Sequence, residues 1–461
     1  MDNSLLSVGI DVGTSTTQLV VSRLGIENRA SAYSVPDLEI QKREILYQSP
    51  IHFTPLLSET VLDAEGIRGI VKAEYQKAGL SPEKVATGAI IITGETARKE
   101  NAREVLQALK DFAGQFVVAT AGPDLESVLA AKGSGAVAYS KATGKTVLHT
   151  DIGGGTSNMA LIEAGEITAT GCLNVGGRLI RVDRGRITYL SPVLRGLTAL
   201  KPGDAVTEED LAPVISLLVG ALEKGCGLLP GEVPPTLLTN RPMKLPQGEV
   251  VFSFSGGVAE LMDTEMDDPF TFGDIGVLLA RSIRQSPLCQ GDFLLGEQTI
   301  RATVIGAGCY STQLSGSTVY GGSVPLPVQN LPVAVLGESQ QKLSPEGLRE
   351  YLQGFRRRWD QEAVAVYLPG LRNPSFQEVT SLTKRLTPVL QDLPQPRVLL
   401  FGTDMAKVMG QSLAAAFPGG VMCLDGVKVQ SESFLDVGAP VADGAAYPVV
   451  VKTLVFEPAA Q

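Results

Sequence analysis

Val8-Gly9-Ile10-Asp11-Val12-Gly13-Thr14-Ser15-Thr16-Thr17-Gln18-Leu19-Val20-Val21 decides how this chain is read, because a second segment has the same form. That segment is His149-Thr150-Asp151-Ile152-Gly153-Gly154-Gly155-Thr156-Ser157-Asn158-Met159-Ala160-Leu161-Ile162. Each is an apolar strand reaching an Asp, a tight glycine-hydroxyl turn, and a second apolar strand. An Asp that ends a strand can orient a hydrated Mg²⁺. Glycines in the turn let backbone N–H groups approach phosphate oxygens, and a nest of such groups binds anions. Two such loops, far apart in sequence, are suited to grip one nucleotide from both sides. A lone Asp-x-Gly is usually only a β-turn, so the reading rests on the set. The set includes a third turn, Gly256-Gly257, which follows the strand Val250 to Phe254. There an adenosine can lie against backbone with no Cβ in the way, and a helix beginning near Val258 would offer further N–H groups to phosphate.

The chain has 461 residues, enough for about two or three domains. A hydrophobic share of 44% supplies sizeable cores. The formal charge is −10 and no long basic run occurs, which argues against nucleic acid or an anionic membrane as partner. No apolar run reaches membrane-spanning length, and the start lacks the basic region of a signal peptide. Five scattered cysteines without a C-x-x-C fit a reducing cytoplasm. Only His52 and His149 are present, so a histidine-rich zinc site is not expected.

Working outward, Leu5 to Leu24 reads as a hairpin closed by the first loop. The spacing predicts helices over 62–78, 96–112 and 124–139, the last containing Gly133 and Gly135 for close packing, and strands over 87–93 and 116–120. After the second loop a hairpin turns at Glu163-Ala164-Gly165. Thr207-Glu208-Glu209-Asp210 is a capping box ahead of a helix that buries Leu211, Val214, Ile215, Leu218 and Leu222. From Thr299 the alternation restarts, with helices over 345–359 and 375–390 and strands over 398–401 and 449–455. This alternation predicts α/β architecture throughout. Asp-Ile-Gly at Asp274 and Asp-Val-Gly at Asp436 lack the downstream hydroxyls and read as plain turns.

Two other motifs are decoys. Gly144-Lys145-Thr146 resembles the end of a P-loop, but the first glycine of that motif would have to stand where Tyr139 is. Gly153-Gly154-Gly155 runs into a strand, where a dinucleotide-binding turn opens a helix. His149 reads as a packed core residue, His52 as a surface-loop residue. Trp359 follows Arg356-Arg357-Arg358, a solvated basic face or a contact to an acidic partner surface.

The two Asp-Gly loops, the helix between them and the Gly-Gly turn resemble the phosphate 1, connect 1, phosphate 2 and adenosine motifs of the actin, sugar-kinase and heat-shock-chaperone ATPases. Gly135-Ala136-Val137-Ala138-Tyr139 is similar to connect 1, and Asn174-Val175-Gly176-Gly177 to the stretch after phosphate 2. The whole chain most resembles the reactivating factors of ethanolamine ammonia-lyase. The resemblance lies in Ile92-Thr93-Gly94-Glu95-Thr96-Ala97-Arg98-Lys99-Glu100-Asn101, Val304-Ile305-Gly306-Ala307-Gly308 and Tyr447-Pro448-Val449-Val450-Val451-Lys452-Thr453-Leu454.

The resemblance implies two ribonuclease-H-like (actin-like ATPase) lobes and an additional C-terminal α/β region. The expected division is a first lobe over 1–170 carrying both phosphate motifs, a second over 171–298 and the C-terminal region over 299–461. It implies ATP and Mg²⁺ between the lobes. Asp11 and Asp151 would hold the metal through water. Gly13, Thr14, Ser15 and Thr16 would face the phosphates from one side, and Gly153, Gly154, Gly155 and Thr156 from the other. Gly176 and Gly177 would join the nucleotide site, with Gly256 and Gly257 on the adenosine. The family role is to release damaged cobalamin from inactivated ethanolamine ammonia-lyase so that intact adenosylcobalamin can enter; slow ATPase activity coupled to this role is expected from a departure at Ala131. The expected setting is the cytoplasm, with association with a bacterial microcompartment. The chain departs from the chaperones at the start of connect 1: Ala131 stands where they carry a water-orienting Glu. Glu126 lies more than a helical turn earlier, and Glu95 is another candidate. Two alternatives stay open: a small-molecule kinase, for which only Asp183 is on hand as general base between Gly171 and Thr198, and a polymerising scaffold ATPase.

Overall fold

A computed structural model describes residues 4–13, 15–28, 38–58, 61–93, 101–109, 112, 118–120, 123–239, 243, 248–296, 298–310, 312–316, 318–359, 363–371, 373–418, 420–427, 429, 433–441 and 444–453. The first sheet contains β1 (Ser4–Val12), β2 (Thr16–Asn28), β3 (Leu38–Gln48), β4 (His52–Phe53), β5 (Thr87–Ile92) and β6 (Val118–Thr120). Its order is β3-β2-β1-β5-β6, with β4 also on β2. The first three strands are antiparallel, and β5 and β6 run parallel to β1. Helices α1 (Ala64–Lys77), capped by the Asp63 carboxylate on the Gly66 N–H, and α2 (Ala102–Leu109) close one face of this sheet. The buried face of α2 is Ala102, Val105, Leu106 and Leu109, as its spacing predicts; residues 96–100 of the expected helix lie outside the described residues.

Two helices follow, not one. α3 (Pro123–Gly133) and α4 (Ala136–Thr143) are separated at Gly135, whose φ of 86° no helix accommodates. The second sheet then repeats the topology of the first. It holds β7 (Val147–Ile152), β8 (Ser157–Glu163), β9 (Glu166–Leu173), a later pair β12 (Val251–Ser255) and β13 (Phe293–Leu295), in the order β9-β8-β7-β12-β13. Again three strands are antiparallel and two join in parallel. Between them lie the small hairpin β10 (Ile180–Asp183) and β11 (Arg186–Leu190), and α5 (Glu208–Gly225), whose capping box forms as read from sequence. α6 (Gly276–Gln285) packs beside α5 in the largest apolar cluster. This pairing differs from the expected division at residue 170: the hairpin of the second loop hydrogen-bonds to β12 and belongs to the second sheet.

α3 and the next helix, α7 (Ala302–Tyr310), join the two sheets. α3 leaves the first sheet and packs on β8 and β9; α7 leaves the second and packs on β1. Where they meet, backbone touches backbone. A Cβ on Gly133 would collide with the Ala302 carbonyl, and one on Gly306 with the Leu129 carbonyl. On β1, a Cβ on Gly9 would meet the Val304 carbonyl of α7 and stand 2.8 Å from the Gly308 nitrogen. The segment 302–310, expected in the C-terminal region, is therefore part of the contact between the sheets.

Beyond α7 a third sheet runs β14-β20-β19-β15-β16-β17-β18. Its strands are β14 (Thr312–Leu314), β15 (Val328–Val335), β16 (Ala365–Leu368), β17 (Arg397–Phe401), β18 (Val421–Asp425), β19 (Ser433–Val437) and β20 (Pro448–Thr453). β15 to β18 are parallel, linked through α8 (Glu338–Gln341) with α9 (Pro345–Trp359), α10 (Phe376–Gln391) and α11 (Ala406–Ala414). Asp436 lies within β19 and accepts from the Asn330 N–H at 2.6 Å, so the turn expected there is a paired strand. The expectation for Trp359 concerns a side chain outside those described.

The glycine contacts give a direct test. Gly306→Ala should lower stability by about 1–3 kcal/mol or more in chemical denaturation, because the added methyl meets a fixed carbonyl. Gly354→Ala in α9, where a Cβ meets nothing within 4 Å, should be neutral or stabilising by about 0.5–1 kcal/mol. Equal effects from the two would show that backbone approach at α7 is not constraining.

Candidate functional site

The two Asp-Gly loops face each other across a cleft of about 430 Å³. Each loop is closed alike: Gly13 N–H donates to the Thr16 carbonyl at 2.8 Å, and Gly153 N–H to the Thr156 carbonyl at 2.9 Å. Across each hairpin the Asp pairs with a carboxamide residue, Asp11 with Gln18 and Asp151 with Asn158. Each Asp also takes a hydroxyl from the end of the neighbouring parallel strand. Thr93 Oγ1 donates to Asp11 Oδ1 at 2.8 Å, and Ser255 Oγ donates to Asp151 Oδ1. Thr303, on α7, adds a bond to Asp151 Oδ2 at 3.3 Å. The site is thus a duplicated polar shell, one copy from each sheet.

The electrostatics of this shell are unfavourable without a cation. Burial in low-polarity surroundings pushes Asp11 up to about 7 against the help of Thr93, and the Asp151 charge raises it further. Burial likewise raises Asp151, opposed by Ser255 and Thr303. Five carboxylates (Asp11, Glu126, Asp151, Glu260, Asp274) line the cleft, against one cation, Arg178, among the described residues. Ser15 Oγ, Gln18 Oε1 and Asn158 Oδ1 are buried there with no hydrogen-bond partner among the described residues. Among those residues no cluster of three or more His, Cys, Asp or Glu could hold a metal by itself. Two facing carboxylates with idle oxygen acceptors nearby fit a hard cation that keeps most of its water, as Mg²⁺ does.

Most residues read from the sequence converge here. Asp11, Gly13, Ser15, Thr16, Asp151, Gly153, Gly154, Gly155, Thr156, Gly177, Gly256 and Gly257 all line the cleft. Thr14 and Glu95 lie outside the described residues. Gly176 does not line it; a Cβ there would strike the Gly154 carbonyl, so it lets the chain pass beneath the second loop. Gly256 takes a φ of 93° against the Ile152 backbone, a place only glycine fills readily. The helix expected near Val258 is a single 3₁₀ turn, Ala259–Leu261, which presents fewer free N–H groups than an α-helix start.

Other residues were missed or misplaced. Glu126, one turn into α3, reaches the cleft after all and accepts from Asn158 Nδ2 at 2.8 Å. Ala131, taken for the water-orienting position, is fully buried in the core beside Val147 and Ala160; a Glu there would have no partner. Asp274 is no plain turn: it accepts from the Gly276 N–H at 2.8 Å and lies 3.3 Å from Arg178 Nε in the cleft wall. Asp183 is exposed at the end of β10 and does not line the cleft, so the kinase reading loses its base. His149 is buried as expected, but in polar company. Its Nε2 is 3.0 Å from Ser255 Oγ and its Nδ1 3.0 Å from Ser253 Oγ. Ser255 gives its one proton to Asp151, so Nε2 must donate and Nδ1 accept. Burial pushes this imidazole down to about 3, which keeps it neutral. The sequence did carry a signal for Thr93 and Ser255: Thr93 directly follows β5 and Ser255 ends β12, the equivalent strand of the other sheet.

A carboxyl whose folded pKa exceeds its unfolded value opposes folding once ionised. The nucleotide-free protein should therefore lose stability as pH rises from about 4 through 7, the window between the unfolded and folded values of Asp11. Asp11→Asn should flatten that decline and raise the melting temperature at pH 8 in scanning calorimetry. A lower melting temperature at pH 8 would contradict this electrostatic account.

The protein is 38% identical over 478 residues to the ethanolamine ammonia-lyase reactivase EutA of Salmonella typhimurium, covering 98% of both chains. It is 37% identical to the Escherichia coli K12 protein of the same name, again over 98% of both. Among solved structures, a Ppx/GppA protein from Aquifex aeolicus aligns with 66% of this chain and 97% of its own, at 14% identity and a TM-score of 0.39. The family model described as ethanolamine utilisation protein EutA matches residues 3–457. With the match running nearly end to end, the chain belongs to the EutA family.

Proposed function

We propose that this protein is an ATP-driven reactivase of ethanolamine ammonia-lyase, which opens the inactivated lyase so that damaged cobalamin leaves and intact adenosylcobalamin binds. The full-length identity to two proteins named as reactivases of that lyase carries this reading. The paired loops supply the ATP dependence. In this reading Asp11 and Asp151 hold Mg²⁺ through water, while the backbone of Gly13 and of Gly153 to Gly155 faces the phosphates. When bound, the metal neutralises charge on the terminal phosphates. Ile51, Phe53 and Phe272 give the outer cleft an apolar wall suited to a base, beside the Gly256-Gly257 turn. Glu126 orients the attacking water, a role geometry allows it and denies Ala131.

A closed cleft with nucleotide and an open one without it are two states of one machine. A partner that binds one state better is itself biased by nucleotide. No described helix is long and apolar enough to cross a membrane.

Two experiments test this. Glu126→Gln should bind Mg-ATP as wild type does but hydrolyse it at least about 100-fold slower, the usual worth of a positioned acid–base group; unchanged turnover would remove Glu126 from the chemistry. For the function itself, the lyase is inactivated, then mixed with this protein, ATP, Mg²⁺ and adenosylcobalamin while acetaldehyde is followed. Activity should return only when all are present. Gly154→Val should block recovery, since its Cβ would stand 2.7 Å from Ser15 Oγ in the opposite loop. No recovery under any nucleotide condition, with Mg-ATP binding confirmed, would sink the reactivase reading.

A further inference from the structure

We propose that Arg178 is the phosphate-binding cation of the cleft, held by Asp274 until a nucleotide triphosphate draws it away; this rests on the nucleotide reading above. The first observation is one of charge. A triphosphate must enter a cleft lined by five carboxylates, and Arg178 is the one positive side chain lining it among the described residues. A divalent cation offsets the Asp11–Asp151 pair, but it leaves Glu126, Glu260 and Asp274 facing the incoming anion.

The second observation is position. The Arg178 N–H donates to the Gly154 carbonyl at 2.6 Å, which pins the residue to the middle of the triple-glycine loop. Its aliphatic stem lies over Gly154, with Cγ 3.4 Å from where a Cβ would stand. The Arg178 stem and Ser15 Oγ of the first loop thus both stand against Gly154, and the guanidinium lies at Asp274 in the cleft wall.

The third is its incomplete engagement. The Arg178 side chain is 21% exposed, and Nε is 3.3 Å from Asp274 Oδ2 without the alignment of a hydrogen bond. Asp274 spends its other oxygen on the Gly276 N–H, at the start of α6. A planar guanidinium satisfies phosphate oxygens in pairs, with stronger bonds than this single skewed contact. Moving from Asp274 to phosphate, Arg178 would transfer the presence of the anion to Asp274 and α6. The arginine thereby distinguishes long phosphate chains from short ones.

The test is titration calorimetry of Mg-ATP and of AMP on the full-length protein, with Arg178→Met, Arg178→Lys and Asp274→Asn. Arg178→Met should weaken Mg-ATP by about tenfold or more, the worth of a charge-assisted bond, and leave AMP nearly unchanged. Arg178→Lys should recover part of the loss, and Asp274→Asn should bind Mg-ATP at least as tightly as wild type. A merely structural arginine would weaken both nucleotides together, and that result overturns the proposal, as does an Arg178→Met variant with wild-type Mg-ATP affinity. Wild-type protein that binds no Mg-ATP overturns the nucleotide reading and this assignment with it. Wild-type binding beside an unaffected Arg178→Met overturns the assignment alone.

Discussion

The structure depends on backbone meeting backbone between α3 and α7. Each helix leaves one sheet and packs against the other, so their separation fixes how far apart the two sheets stand. Gly133 and Gly306 remove the Cβ atoms that would hold the helices apart, and Gly9 with Gly308 does the same between α7 and β1. α3 brings Glu126 and α7 brings Thr303 to the cleft, while β1 ends at the first loop. One packing constraint therefore brings Asp11 and Asp151 into a common space. A tight interior transmits small shifts because it has no slack to absorb them. Motion of one sheet against the other must pass through these glycines.

Duplication explains the polar shell. Each sheet supplies an Asp, a cross-strand carboxamide and a hydroxyl from the adjacent parallel strand. The copies differ in support. Asp151 is backed by Ser255, Thr303 and, behind Ser255, a neutral His149, while Asp11 has Thr93. The protein's own groups leave this shell only partly satisfied. Burial raises both carboxyls, and Ser15 Oγ, Gln18 Oε1 and Asn158 Oδ1 have no hydrogen-bond partner among the described residues. The same features make a charged, hydrated ligand welcome.

The third sheet is tied to this machinery by chain and by contact. α7 runs straight into β14, and the hydroxyls of Thr312 on β14 and Thr87 on β5 are 2.6 Å apart. The first sheet and the C-terminal region thus share a buried polar link next to the helix that reaches Asp151.

The sequence alone determined the local parts. Asp-Gly-hydroxyl turns between apolar runs, the Thr207 and Ser375 helix starts, and the buried stripes of α2 and α5 follow from rules that act over a few residues, and the matching loops at Asp11 and Asp151 announced two like walls of one cleft. What only the tertiary structure decided was pairing and reach. Strand hydrogen bonds assigned the second hairpin to the second sheet, not the first. Crossing helices brought Glu126 into the cleft and left Ala131 in the core. Asp274 and Arg178, far apart in the chain, met at its wall. No short-range pattern encodes these outcomes, because each is fixed by the packing of elements distant in sequence, where a single glycine sets the distance.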